Sequence, residues 1–159
     1  MELSATPVRT VYASNLGVIA TAIEKLARRA KRLSLPVPVL HQGKPYVREE
    51  ITETGAKKRS VVADVWVENA IVKLPGWNLV AALDHAENLV RVVPGKDLPQ
   101  RYRGAAQTCD HCKVVRDRKI SYVVELQSET GVGHHQVGSG CVADFLGHDG
   151  ARAIALGTY

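Results

Sequence analysis

Aromatic residues make up only 5% of this 159-residue chain, and cysteine occurs three times. So few rings leave Val, Leu, Ile and Ala to build the interior, with Trp66 and Trp77 as its largest expected pieces. An odd number of cysteines does not make a disulfide framework, and two of them stand as C-x-x-C, a metal or redox spacing. No apolar run approaches the roughly 20 residues that cross a bilayer, so no membrane partner is expected. Met1 to Thr10 has neither the basic stretch nor the apolar core of a signal peptide, and the expected compartment is the cytoplasm. A Walker-type glycine loop and a serine nucleophile elbow are both missing, and Gly131-Val132-Gly133 is too short for a dinucleotide site. No internal repeat or low-complexity tract is visible.

What is present is ordinary in amount and uneven in kind. Hydrophobic residues reach 45%, and a chain of this length buries roughly 70% of its extended surface, so folding does not require a metal. Lys and Arg number 21 against 16 Asp and Glu, a formal charge of +5 with pI near 9.2. That excess suits a polyanionic partner, nucleic acid above all.

Ser14 is placed to cap a helix whose apolar positions, Leu16, Ile19, Ile23, Leu26, Ala30 and Leu33, recur three and four apart. Lys25, Arg28, Arg29, Lys31 and Arg32 crowd its second half, where cations suit the macrodipole or could meet phosphate. Pro36 and Pro38 end it. Strands are expected at Pro45 to Ile51 and Ser60 to Val67, with Glu53 to Arg59, including Lys57, Lys58 and Arg59, as a hairpin tip. A second hairpin joins Trp77–Leu83 to Leu89–Val93 through a polar connector. Pro94 to Gly104, rich in proline and glycine, reads as a linker. The expected fold is α+β: a domain over residues 1–98, an N-terminal helix with an antiparallel sheet, then a zinc-binding hairpin and helix over 99–159.

The second portion carries the chemistry. Cys109-Asp110-His111-Cys112 is a knuckle that aims two thiolates at one ion. A strand at Ile120 to Leu126, a turn at Gly131 and Gly133, and a return at His134 to Val137 follow it. Gly138-Ser139-Gly140 then leads into Cys141-Val142-Ala143-Asp144-Phe145-Leu146 at a helix start. Knuckle, hairpin, helix is the order of a treble-clef finger. A tetrahedral Zn²⁺ accepts thiolate, imidazole or carboxylate, and a helix N-terminus favours anionic ligands. Cys109, Cys112 and Cys141 are therefore the expected ligands, with Asp144 fourth at the C-x-x-D position. His111, His134, His135 and His148 compete for that fourth place. A thioredoxin-like redox pair would need a βαβ context that is missing here.

The residues C-D-H-C, R-D-R, S-Y-V-V, Q-V-G, C-V-A-D-F and L-G-H resemble a zinc-finger segment of uncharacterised phage, plasmid and actinobacterial-type proteins. The resemblance covers about the last third of the chain. It implies a treble-clef-like finger in a mobile-element, phage or defence-related protein and supplies no activity. The helical sequence at Gly150 to Leu156 runs almost to Tyr159, so the chain reads as an N-terminal fragment of something longer.

Three classes of function follow. The leading one is a nucleic-acid-binding module, for DNA, with Arg101, Arg103, Lys113, Arg116, Arg118 and Lys119 as phosphate contacts, Arg116 and Arg118 sharing one face of a strand. The second is a protein-interaction adaptor with a structural finger, including a homodimer through the N-terminal helix. The third is a His-Me-type nuclease with His134 or His135 as general base and His148 on a catalytic cation. That family's asparagine has no counterpart between Cys109 and Tyr159, so no catalytic residue is assigned and an enzyme is not the expected reading.

Overall fold

The computed structural model describes residues 7–155, which divide into two compact units, residues 1–72 and 73–159. One long helix and two antiparallel sheets make the chain mixed α+β and mostly β.

In the first unit, β1 (Arg9–Tyr12) and a 3₁₀ turn (Ala13–Asn15) lead into α1 (Leu16–Arg32), followed by β2 (Val39–Gln42), β3 (Tyr46–Ile51) and β4 (Lys57–Glu68). The 3₁₀ turn displaces the expected cap: Asn15 holds the N-cap position of α1, and no side chain caps it. The apolar stripe of α1 is its less exposed face, with Ala30 fully buried. Ser34, at φ 55°, ends the helix in the left-handed conformation usually given to glycine, and Leu35 N–H bonds back to Ala30 O at 2.9 Å.

β4 is the hub of the first sheet. β1 pairs along one of its edges, and β2 and β3 pair in succession along the other. Pro45, which lacks an N–H, interrupts the second edge, and Gly43 N–H bridges the gap to Asp64 O at 2.8 Å. The β3–β4 turn closes through Thr52 N–H to Ala56 O at 2.8 Å. Lys57, Lys58 and Arg59 therefore lie in β4 and not on the hairpin tip.

In the second unit, β5 (Trp77–Asp84), β6 (Leu89–Val92), β7 (Ile120–Ser128) and β8 (Gly131–Gly138) form a sheet of order β6-β5-β7-β8, followed by α2 (Val142–Ala155). The division at 72/73 differs from the boundary expected at 98/99. β5 pairs with β7 from Trp77↔Leu126 to Asp84↔Ile120, and a cut at 98 would sever that ladder. The expected linker is instead packed structure. Leu98 and Tyr102 cover Val80, Ala81, Leu83 and Val123, and Tyr102 Oη donates to His134 O at 3.0 Å. On the other face, Leu79, Tyr122, Val124 and Val137 pack against Val142, Phe145 and Leu146 of α2, together with Cys109. Both faces are thus closed, one by the segment after β6 and one by α2 and the knuckle. Phe145, not a tryptophan, is the largest fully buried side chain, while Trp66 is 37% exposed.

Candidate metal centre

The knuckle is fastened to the end of β8. Asp110 N–H donates to Gln136 O and Gln136 N–H donates to Asp110 Oδ2, each at 2.7 Å. Gly138 N–H points at Cys109 Sγ, 3.4 Å away. From the other side, Cys141 N–H bonds to Gly138 O at 2.9 Å, which sets the third cysteine immediately before α2. The result is one cluster: the Sγ atoms of Cys109, Cys112 and Cys141 all lie within 4.8 Å of one another. A tetrahedral ion with metal–sulfur bonds of about 2.3 Å needs sulfurs about 3.8 Å apart. The thiols fit such an ion with little adjustment. Among the described residues, no imidazole or carboxylate joins them inside that limit.

The electrostatics suit a cation. The Val114 backbone N–H draws the Cys112 thiol down to about 7, with smaller help from Cys109, Cys141 and Arg118 and against the opposing effect of burial. Burial, followed by its two thiol neighbours, pushes Cys141 up to about 12. Three thiols this close cannot all ionise without a positive charge between them, and a dication removes that conflict.

Asp144 sits on the first turn of α2 and is only 1% exposed. Its Oδ2 lies 3.0 Å from His111 Nε2, and since a carboxylate only accepts, that ring nitrogen carries the proton. The His111 ring packs edge-on to Phe145, centroids 5.0 Å apart. The other histidines go elsewhere. His134 projects from the sheet face away from α2, 3.7 Å from Glu125 Oε2. His135 lies against Trp77, centroids 4.8 Å apart. His148 is exposed beyond a break in α2 at Gly147, whose φ is 76°. The residues named for nuclease chemistry are therefore dispersed.

Of the six basic residues named around the finger, Arg103, Lys113, Arg116 and Lys119 are exposed, as is Arg101, which lies over the Tyr102 ring at 4.8 Å. Arg118 is the correction. Residues 113–118 form no strand, so no alternation operates, and Arg118 is 8% exposed. Its Nη2 donates to Val114 O at 2.7 Å and lies 3.8 Å from Cys112 Sγ. A Cβ at Gly138 would meet Arg118 Nη1 at 2.5 Å, so glycine there leaves room for the guanidinium. Arg118 thus braces the thiolate side of the knuckle. Sequence spacing missed this role, as it missed Asp110 and the His111–Asp144 pair. The one local signal was an acidic residue directly after the first knuckle cysteine.

No protein-family model, curated protein or solved structure matches the chain. The site's own geometry carries its interpretation.

Proposed function

We propose that Cys109, Cys112 and Cys141 hold a structural Zn²⁺, with Asp144 as fourth ligand, and that the chain is a zinc-stabilised nucleic-acid-binding module. The observation that carries the metal is the convergence of three thiols from a knuckle and a helix start, fastened to each other through β8. A donor set of three sulfurs favours Zn²⁺ over the hard cations. Asp144 is favoured for the fourth place because it is buried on the first turn of α2, three residues after Cys141, with His111 Nε2 3.0 Å from its Oδ2 to orient it. A closed four-ligand set supplies stability rather than catalysis, with metal binding coupled to folding worth on the order of 10 kcal/mol. Knuckle, β7–β8 hairpin and α2 follow in the order of a treble-clef-like finger.

The exposed Arg101, Arg103, Lys113, Arg116 and Lys119 support a polyanionic partner for this unit, DNA being the leading one. The test has two stages. Elemental analysis of protein purified without added zinc should give one equivalent of zinc, lost in Cys141→Ser and weakened in Asp144→Ala. A duplex titration between 50 and 200 mM salt should then show affinity falling steeply with salt. Retention of zinc by Asp144→Ala with loss in His111→Ala would transfer the fourth position to His111. No binding at low salt would remove the nucleic-acid reading.

A further inference from the structure

The first unit buries little. Its buried apolar side chains are Ala30, Val62, Ala63, Val65 and Val72, none larger than valine, whereas Val47 is 58% exposed, Val61 53% and Ile51 76%. A domain of this size rarely holds together on so thin a core, and association with a second copy is one common remedy. The three exposed side chains are neighbours. Val47 stands directly opposite Val61 in the β3–β4 ladder, and Ile51 lies further along the same face of β3. They end at an open edge. Among the described residues β3 pairs with β4 alone, without a bulge or an internal proline, and every one of its residues is exposed. The edge strand β8 differs, because the knuckle covers its end through Asp110 and Gln136.

The edge also has a phase. Thr52 N–H donates to Ala56 O at the turn, and hydrogen-bonded pairs alternate along an antiparallel ladder. Tyr46, Arg48 and Glu50 therefore turn their backbone N–H and C=O toward β4, and Val47, Glu49 and Ile51 turn theirs outward. A second β3 can take these groups up antiparallel, about a two-fold axis normal to the sheet. Such an axis keeps each face on its own side, so a residue pairs only with positions of its own parity. Centring the axis on Glu49 places Val47 opposite Ile51 and Arg48 opposite Glu50, each pairing made twice, with about six new backbone hydrogen bonds. Centring it on Arg48 or Glu50 sets the charged Glu49 against Val47 or Ile51 and makes fewer bonds. Arg48 and Glu50 already pair within one chain at 2.9 Å, so two copies complete a ring of alternating charges. The two Glu49 side chains meet at the axis, each held by its own Arg59 at 2.7 Å.

We infer that the chain forms a symmetric dimer by joining β3 to β3 of a second copy, with Glu49 at the two-fold axis. The unit as a whole repels its like, residues 7–72 holding eleven Lys and Arg against six Asp and Glu, so copies can meet only where their charges are matched. β3 is such a place. In the joined sheet Val61 and Val47 of one copy continue into Ile51 of the other, which covers apolar side chains that each copy alone leaves in water. An interface built on one strand is small, so its Kd belongs in about the micromolar range. The inference depends on neither the zinc nor the nucleic-acid reading.

Sedimentation equilibrium of the full chain should show a dimer whose share grows with concentration through the micromolar range. Val47→Lys, at a position already exposed in the monomer, should weaken it about tenfold or more. Arg48→Glu and Glu50→Arg should each be monomeric alone, since Glu then faces Glu, or Arg faces Arg, across the axis. Mixed in equal amounts the two variants should recover the dimer, because every cross-axis pair is opposite in sign again. Mild oxidation gives a second readout. Glu49→Cys should cross-link, its Cα atoms lying about 5.5 Å apart across the axis, whereas Ile51→Cys, about 13 Å from its mate, should stay at the wild-type background. A monomer at every concentration would overturn the inference. So would a dimer indifferent to Val47→Lys, no recovery on mixing the charge variants, or cross-linking of Ile51→Cys as ready as that of Glu49→Cys.

Discussion

The two units solve the problem of a small, aromatic-poor chain in opposite ways. The second closes both faces of its sheet, places Phe145 at the centre of one of them and gathers three thiols at its edge. In the first, the buried apolar side chains are small, Ala30, Val62, Ala63, Val65 and Val72, while its two tyrosines on β1 and β3 and its tryptophan stay at the surface. One unit invests its largest side chains and its cysteines in cohesion; the other leaves its rings and its surplus charge facing outward. The contrast locates where each kind of substitution should be felt: in cohesion where a side chain is buried, and little where it is exposed.

The largest effect is expected at the cysteines. Removing the metal, by chelation or by Cys141→Ser, should cost the second unit on the order of 10 kcal/mol of coupled folding energy and leave the first nearly untouched. Amide hydrogen exchange resolved by segment checks this: protection should fall across β7, β8 and α2 and persist in β4. Uniform loss across both units would erase the distinction. Next is Phe145→Ala, which opens a cavity between α2 and the sheet and should cost about 3–5 kcal/mol, read from a urea midpoint.

Arg118→Met sharpens the account of the knuckle. It should lower metal affinity about 10- to 100-fold, measured by competition with a chromophoric chelator, without changing the salt slope of nucleic-acid binding. An unchanged affinity with a reduced slope would restore the phosphate-contact role. In the chelated protein at pH 7.5, Cys112, drawn to about 7, is mostly thiolate, whereas Cys141, raised to about 12, is almost wholly protonated. Iodoacetamide followed by peptide mass mapping should therefore label Cys112 well ahead of Cys141. Lowering the pH below 7 should slow Cys112 and narrow the gap, and zinc should suppress both. The smallest effect belongs to Trp66→Leu, expected to cost about 1 kcal/mol because the ring is already partly in water.

Much of this was legible from residue order. The spacing of Leu16, Ile19, Ile23 and Leu26 gave α1, and the β-branched run around Val61 and Val62 gave β4, because periodicity records which side faces the core. The three cysteines were legible because few side chains suit a metal and their spacing encodes a knuckle and a helix start. Long-range pairing was not. Nothing local in Trp77–Asp84 says that it joins a strand forty residues later, so the Pro- and Gly-rich stretch before Gly104 passed for a boundary. Arg118 and Arg116 look alike in sequence, and only the room beside Gly138 turns one of them inward. That the exposed rings of the first unit share one side of its sheet was hidden for the same reason. Tyr12, Tyr46 and Trp66 lie on three strands and meet only through register.

The central claim is that three thiolates and one lighter ligand close around a zinc ion at the knuckle. X-ray absorption at the zinc edge on the purified chain tests it most directly. The account predicts three sulfur scatterers near 2.3 Å and one oxygen or nitrogen near 2.0–2.1 Å. A zinc-free protein, or a shell made only of light atoms, would contradict it.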